Sequence, residues 1–350
     1  MLPSRIVTVG ASAGGVESLT AIAASLPADL NAAVFVVLHI PPNLVSSLPE
    51  ILSRQGPLPA VHPKDGDQLK AGIIYVAPPD HHLLVEGSRI LVKRGPKENR
   101  NRPSVDALFR SAAYSHGSRV IGIVLSGALD DGTSGLWSIK RLGGVSIVQD
   151  PSESSFDSMP SNALDQVKID YCVSVHEMGT LLSRLTREAI RKDPHTAEQD
   201  RSKMKVEVGV AIDGDAFRKG VMEIGQLTPF TCPECQGVLV KLKEGKLVRY
   251  RCHTGHAYSA SALLSGVMGM IDESYWAVMR SLEEAAMLLD QIGNNLIDEG
   301  QTKAARLFLD RSKAAFDQSR RLREAVLGTE RFSGDSLRYK AQGNQARPET

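Results

Sequence analysis

The apolar run Ile6-Val7-Thr8-Val9 breaks into Gly10-Ala11-Ser12-Ala13-Gly14-Gly15, and a helical pattern with Val16, Leu19, Ile22 and Ala23 on one face begins at once. A strand, a glycine-lined turn and a helix N-terminus follow one another within a few residues. Glycine permits the tight backbone path, and the helix end offers free N–H groups and a positive dipole end. Such a turn either cradles a phosphate or holds a nucleophilic serine beside an oxyanion hole.

The same alternation continues to about residue 186. Strand patterns fall at 6–9, 33–38, 73–77, 83–85, 90–93, 120–125, 145–148 and 171–175, and helical patterns at 16–24, 48–54, 104–115, 134–142 and 176–190. Several strands are continuous Val/Ile/Leu runs, as required when helices cover both faces of a sheet. Aromatic residues make up only 5% of the chain, so its core is aliphatic, which suits the same architecture. The fold class is α/β, a doubly wound, mostly parallel sheet in three α/β/α layers. The stretch 73–93 reads as a hairpin that turns at Glu86-Gly87-Ser88.

Three features bear on the choice between phosphate and nucleophile. A dinucleotide site needs a second glycine where Ser12 stands and an acidic residue ending the second strand, which ends instead in Leu38-His39. A P-loop needs a Gly-Lys-Ser/Thr helix start that is not present. Gly10-x-Ser12-x-Gly14 instead fits a nucleophile turn, which requires a base and an orienting acid. Ligands gather at the carboxyl ends of parallel strands. His39 ends one such strand, and Asp130 and Asp131 follow another, so either aspartate completes a Ser/His/Asp set. The chain order Ser, His, Asp is not that of the usual esterase and lipase fold. His62, His81 and His82 lie beside Pro- and Asp-rich turns, and His116, His176 and His195 in helical or linker contexts.

Beyond 190 the character changes. Residues 191–226 are polar and weakly periodic and read as a linker; 227–258 hold a Cys/His cluster; 259–328 carry two helices; 329–350 read as a disordered tail. Cys232-Pro233-Glu234-Cys235 and Cys252-x₃-His256 bracket a hairpin, a zinc-ribbon-like arrangement in which Cys232, Cys235, Cys252 and His256 satisfy tetrahedral Zn²⁺. His256 is preferred to His253, because adjacent residues cannot easily bend both side chains onto one metal. Four closed ligands make the zinc structural, and on this reading its removal leaves the N-terminal domain working. Cys172, alone in an apolar strand, reads as core filling. Met279, Leu282, Ala286, Leu289 and Leu296, with Phe308, Ala315, Leu322 and Val326, form seams for a helical hairpin or for self-association as a coiled coil. With 41 Lys and Arg against 40 Asp and Glu, nothing global favours nucleic acid, although the ribbon carries Lys241, Lys243, Lys246, Arg249 and Arg251. Without a leader, a membrane span or a disulfide framework, the reading is a cytoplasmic protein that is not inserted in a membrane.

Five strings carry a family resemblance over about residues 5–190. They are Gly10-Ala11-Ser12-Ala13-Gly14-Gly15, His39-Ile40-Pro41-Pro42, Tyr75-Val76-Ala77-Pro78-Pro79-Asp80-His81-His82, Asn101-Arg102-Pro103-Ser104-Val105-Asp106-Ala107-Leu108-Phe109 and Ser126-Gly127-Ala128-Leu129-Asp130-Asp131-Gly132. In this order they resemble the chemotaxis receptor methylesterases, whose catalytic domain is known as CheB. The resemblance implies hydrolysis of glutamyl methyl esters on chemoreceptor signalling helices, and deamidation of some glutamines, without a catalytic cofactor. It implies Ser12 as nucleophile, His39 as general base and Asp131 as orienting acid. The N–H groups of Ala13 and Gly14, at the helix start, are the candidate oxyanion donors. Arg102 either meets an acidic receptor surface or is paired locally. The partner implied is a methyl-accepting chemoreceptor or a similar helical signalling protein.

Two departures matter. Ala128 stands where the family usually has methionine, and Asp157-Ser158-Met159-Pro160 replaces Phe-Gly-Met-Pro. The first strand begins four residues from Met1, so no receiver domain is expected ahead of it, and a separate regulator takes the place of phosphorylation within the chain. The alternative reading is a catalytically altered or inactive scaffold that binds a regulatory partner.

Overall fold

A computed structural model describes residues 3–190 and 198–328. The chain opens with β1 (Arg5–Ala11), α1 (Gly15–Ser25), β2 (Ala32–Leu38), α2 (Leu48–Gln55), β3 (Ala60–Val61) and β4 (Ile74–Val76). It continues through β5 (His82–Glu86), β6 (Arg89–Lys93), α3 (Val105–His116), β7 (Val120–Val124), α4 (Thr133–Arg141) and β8 (Val145–Gln149). Next come α5 (Ser158–Gln166), β9 (Tyr171–Val173), α6 (Val175–Arg187) and α7 (Glu198–Asp213). The remainder is β10 (Gln226–Thr231), β11 (Val238–Glu244), β12 (Leu247–Cys252), β13 (Ala257–Ser259), α8 (Ala260–Asp298) and α9 (Thr302–Gly328).

The main sheet has seven parallel strands in the order β3-β4-β2-β1-β7-β8-β9. The chain leaves β1 towards β2 on one side and returns to β7 on the other, which sets a topological switch point between β1 and β7. Alternate residues of each strand feed opposite cores. Val7 and Val9 of β1 pack with Leu19 and Ile22 of α1, Leu52 of α2 and Met178 and Leu182 of α6. Ile6, with Phe35 and Val37 of β2, packs on Leu108 and Phe109 of α3, Leu136 of α4 and Met159 of α5. The doubly wound α/β expectation therefore holds.

Several details differ from the sequence reading. Within 73–93, β4 belongs to the main sheet, and only β5 and β6 form the hairpin, turning at Gly87-Ser88. Cys172 is exposed, because β9 is an edge strand with one open face. The linker reading fails for its described part. α7 forms there and buries Met204, Glu207, Val208, Val210 and Ala211. Residues 191–197 and the tail 329–350 lie outside the described residues.

The chain divides into two compact units at Leu263/Leu264. The four-stranded antiparallel sheet β10-β11-β12-β13 belongs to the first unit, together with the parallel sheet. In the second unit α8 and α9 form an antiparallel hairpin. Met279, Ala286, Ala305, Ser312 and Ser319 are buried along its seam, and Ser312 Oγ donates to Ala286 O at 2.8 Å. The seam is thus filled within the chain.

A buried ionic cluster joins the small sheet to the large one. Arg110 of α3 donates to Glu98 (2.9 Å), and Arg251 of β12 donates to Glu98 (2.6 Å) and to Glu207 of α7 (3.1 Å). Arg249 donates to Glu207 (2.6 Å) and Glu244 (2.5 Å), whose other oxygen accepts from Ser134 Oγ. Three arginines thus face three glutamates drawn from α3 and the segment before it, α7 and the small sheet. Burial pushes the Glu98 carboxyl up, but Arg110 and Arg251 outweigh it and hold it down at about 2. Removing one partner of a buried pair strands the other charge, at about 3–5 kcal/mol.

Glu98→Gln should therefore destabilise the protein by about 3–5 kcal/mol at pH 6. Because the folded value is depressed, this stabilisation is complete above the ordinary carboxyl value of 4.5 and is lost as pH falls towards 2. In urea unfolding the gap between wild type and variant should shrink by about 2 kcal/mol between pH 6 and pH 3. A gap that is the same at both pH values would contradict this account of the cluster.

Candidate active site

β2, β1 and β7 lie side by side, and each ends in a residue expected at the site. Ser12 follows β1, with its N–H on Ser126 O (3.0 Å); His39 follows β2, with its N–H on Ala11 O (3.1 Å). Asp131 lies on the turn after β7, just before Gly132, the N-cap of α4. His39 Nε2 lies 2.8 Å from Asp131 Oδ2. Of the two neighbouring aspartates it is thus Asp131 that meets His39. Asp130 points elsewhere, with its Oδ1 accepting from Ser259 Oγ at 2.6 Å.

Asp131 is buried and surrounded by donors. Its Oδ2 accepts from Val105 N (2.8 Å), and its Oδ1 accepts from Asp106 N (3.1 Å), Gly132 N (3.1 Å), Ser104 Oγ (3.0 Å) and Asn99 Nδ2 (2.9 Å). Two of these N–H groups open α3, so the carboxylate also meets the positive end of that helix. Burial alone pushes the carboxyl up, but His39, Asn99 and the Val105 N–H outweigh it and hold it below its ordinary value. An ionised carboxylate only accepts, so the proton in the His39 pair sits on Nε2 and the lone pair on Nδ1. Neighbouring Asp106 is pushed well up by burial and by the charge of Asp131.

Around Ser12 the backbone leaves no spare room. Gly14 is left-handed at φ 68°, and Gly15 N donates to Ser12 O at 2.9 Å. A Cβ on Gly127 would stand 2.1 Å from Met159 Sδ and 2.8 Å from Ser12 Cβ, so glycine is required there. Ser126 Oγ donates to Ala13 O (2.8 Å) and accepts from Phe156 N (3.0 Å), tying the serine turn to the loop before α5. Among the described residues the N–H groups of Ala13 and Gly14 have no acceptor, and Ser12 Oγ has no partner.

The other residues considered from the sequence are placed as follows. Arg102 donates to Asp80 Oδ1 through Nε (2.9 Å) and Nη2 (2.6 Å), and to Gly95 O through Nη1 (2.8 Å). Local pairing, not an open guanidinium, is what the fold gives it. His82 is fully buried between Pro96 O and Ser104 N, and His62 bonds Val76 O, so both serve the fold. Ala128 is exposed, so the loss of the family's methionine alters the rim of the site. Asn99, Ser104 and Asp106, in or just before the Asn101–Phe109 string, carry no sequence signal of their own beyond that string, because their partner Asp131 is distant in sequence.

A second cluster lies at the end of the small sheet. Cys232, Cys235, Cys252 and His256 bring four ligand atoms within 4.8 Å of one another. Cys235 Sγ is 3.7 Å from Cys252 Sγ, and His256 Nδ1 is 3.7 Å from Cys232 Sγ and 3.6 Å from Cys252 Sγ. A zinc tetrahedron with bonds of about 2.3 Å to sulfur and 2.0–2.1 Å to nitrogen has edges of about 3.5–3.8 Å. The hydroxyls of Tyr258 and Thr254 lie 3.1 Å and 2.9 Å from Cys232 and Cys252 Sγ, placed to donate to thiolates. The donor set fits tetrahedral zinc.

Fold and site together define a doubly wound α/β protein with a serine, a histidine and an aspartate at the switch point. The CheB methylesterase family profile matches residues 7–182. A Leptospira interrogans protein, provisionally named protein-glutamate methylesterase/protein-glutamine glutaminase, is 32% identical over 187 residues, 53% of this chain and 97% of the relative. Proteins with that paired name from Methanosarcina acetivorans (36% over 191 residues) and Anaeromyxobacter dehalogenans (40% over 161) are matched over 54% and 47% of their own lengths, and over 52% and 45% of this chain. The chain thus spans about half of each of these two. The crystal structure of the Thermotoga maritima CheB methylesterase catalytic domain superposes with a TM-score of 0.51 at 31% identity, over 53% of this chain and 100% of that one. The chain belongs to the CheB methylesterase family.

Proposed function

We propose that this protein is a protein-glutamate methylesterase that works by acyl transfer through Ser12, His39 and Asp131. The observation that carries the reading is the His39 Nε2–Asp131 Oδ2 bond at the ends of strands that flank Ser12. It leaves Nδ1 of His39 to take the serine proton. Ser12 Oγ attacks the γ-carbonyl carbon of a methylated glutamate, and the Ala13 and Gly14 N–H groups receive the developing oxyanion. The C–OCH₃ bond breaks, methanol leaves with the proton returned by His39, and water activated by His39 hydrolyses the glutamyl-serine ester. A glutamine substrate releases ammonia by the same route.

The substrate in this proposal is a helical chemoreceptor segment. Leu44, Val45 and Phe156 are exposed on loops that leave the carboxyl edge of the sheet, an apolar rim suited to the side of a helix. Among the described residues no helix is long and apolar enough to cross a membrane. Zinc on Cys232, Cys235, Cys252 and His256 would be structural, since four protein ligands leave no open position.

Methanol release from methylated receptor cytoplasmic fragments tests the catalytic reading. Wild type should release methanol and Ser12→Ala none, with an unchanged circular dichroism spectrum. Asp131→Asn should lower turnover by about 10⁴-fold, because the amide favours the wrong tautomer of His39. Normal turnover in either variant refutes the triad.

The metal reading predicts one zinc per chain in protein purified anaerobically. Its chelation should raise hydrogen exchange across residues 230–258. A metal-free chain with the same exchange protection would refute it.

A further inference from the structure

The ribbon reaches the shell of Asp131 through the side chain of Asn99. β13 follows directly on His256, and its Ala257 pairs with the segment before α3. Ala257 N donates to Lys97 O (3.1 Å), and Asn99 N donates to Ala257 O (2.7 Å). Two residues on, Ser259 N donates to Asn99 Oδ1 at 2.8 Å. The other end of that amide, Nδ2, donates to Asp131 Oδ1 at 2.9 Å and to Asp106 Oδ2 at 2.9 Å. The orientation of the amide is forced by its neighbours. A backbone N–H on one side needs the oxygen, and two carboxyl groups on the other need the nitrogen.

Asn99 is buried and left-handed at φ 50°, a conformation that a residue with a Cβ keeps only when its surroundings impose it. The ribbon supplies two of its partners, Ala257 O and Ser259 N, and Asp131, Asp106 and Asn101 supply the others. The ribbon is in turn anchored by Arg251 on Glu98, the residue before Asn99, and by Lys97 Nζ on Glu234 (3.2 Å), between the two first cysteines. Ser259 also caps α8, accepting from Ala262 N (3.0 Å) while it donates to Asp130. Two successive residues of the Asp130-Asp131 turn are therefore held from the ribbon side.

We propose that the metal ribbon is a positioning device for the esterase site. Metal binding fixes β13, β13 fixes the Asn99 amide, and Asn99 sets the donor shell of Asp131 and through it the orientation of His39. Asn99 is a positioning residue, since its nearest approach to the reacting atoms is through Asp131. This replaces the expectation that the N-terminal domain works independently of the zinc. It rests on the proposed triad and the proposed metal, and it makes esterase turnover responsive to whatever adds or strips the ion.

The test uses the full chain and the variant Asn99→Gly, which removes the amide while suiting the left-handed backbone. A hydrogen bond to a charged group lost from Asp131 should lower kcat by about 10–100-fold with little change in KM. The carboxylate then keeps more charge for His39, so the acid limb of kcat/KM should move to higher pH. Zinc removal from wild type should reproduce both effects and raise hydrogen exchange in 97–106, with the parallel sheet still protected. Zinc removal from Asn99→Gly should add less than about threefold, because the two act through one side chain. The proposal is overturned if metal-free wild type keeps its kcat, its pH limb and its protection at 97–106. It is overturned equally if the two effects multiply. A chain without esterase activity refutes the triad reading beneath it, and a chain without zinc refutes the metal reading, and either removes the proposal as well.

Discussion

Everything at this site depends on keeping one buried carboxylate charged. Asp131 sits where desolvation alone would drive it neutral, and a neutral acid could neither orient His39 nor stabilise its cation. The fold answers with geometry. The parallel sheet brings the turn after β7 against the first residues of α3, whose N–H groups have no partner within their own helix. Ser104, Asn99 and Gly132 supply the remaining donors. Asn99, which donates to this carboxylate, and Leu129, two residues before it, are both at positive φ.

The same logic of balanced burial explains how the small antiparallel sheet is held on a large α/β body. Six charged groups from three parts of the chain meet where water is excluded, and each alone would be costly. Together they specify one docking arrangement, since any shift strands an arginine. The ribbon is consequently a wall of the esterase unit and not an appendage. That is why a backbone N–H from Ser259 can reach the shell of Asp131.

Much of this was legible in the residues. Ser12 and His39 could be placed because continuous apolar strands end at them, and chemistry in such sheets gathers at strand ends. The four candidate metal ligands could be placed because their spacing brackets a hairpin, and the structure brings the same four together. α7 could not. Its buried face contains Glu207, whose counter-charges Arg249 and Arg251 come from forty residues further on, so local periodicity read as polar linker. Asn99 was hidden for a related reason: its partners Asp131 and Ser259 both lie far downstream in the sequence. For Arg102 the residues left two readings open, a receptor contact or local pairing, and the fold gives it the local pair with Asp80. Cys172 looked internal because its run is apolar, whereas a strand's place in the sheet decides how much of it is covered.

The central claim is that Asp131 holds His39 with its proton on Nε2, which leaves the lone pair of Nδ1 for the proposed proton transfer from Ser12. Nitrogen-15 NMR of protein labelled at histidine measures this directly. At a pH above the titration of His39, the ring should be found as the Nε2–H tautomer, with that proton shifted downfield by its bond to the carboxylate, and the pattern should be lost in Asp131→Asn. A His39 found as the Nδ1–H tautomer, or one whose spectrum is indifferent to Asp131→Asn, would contradict the account.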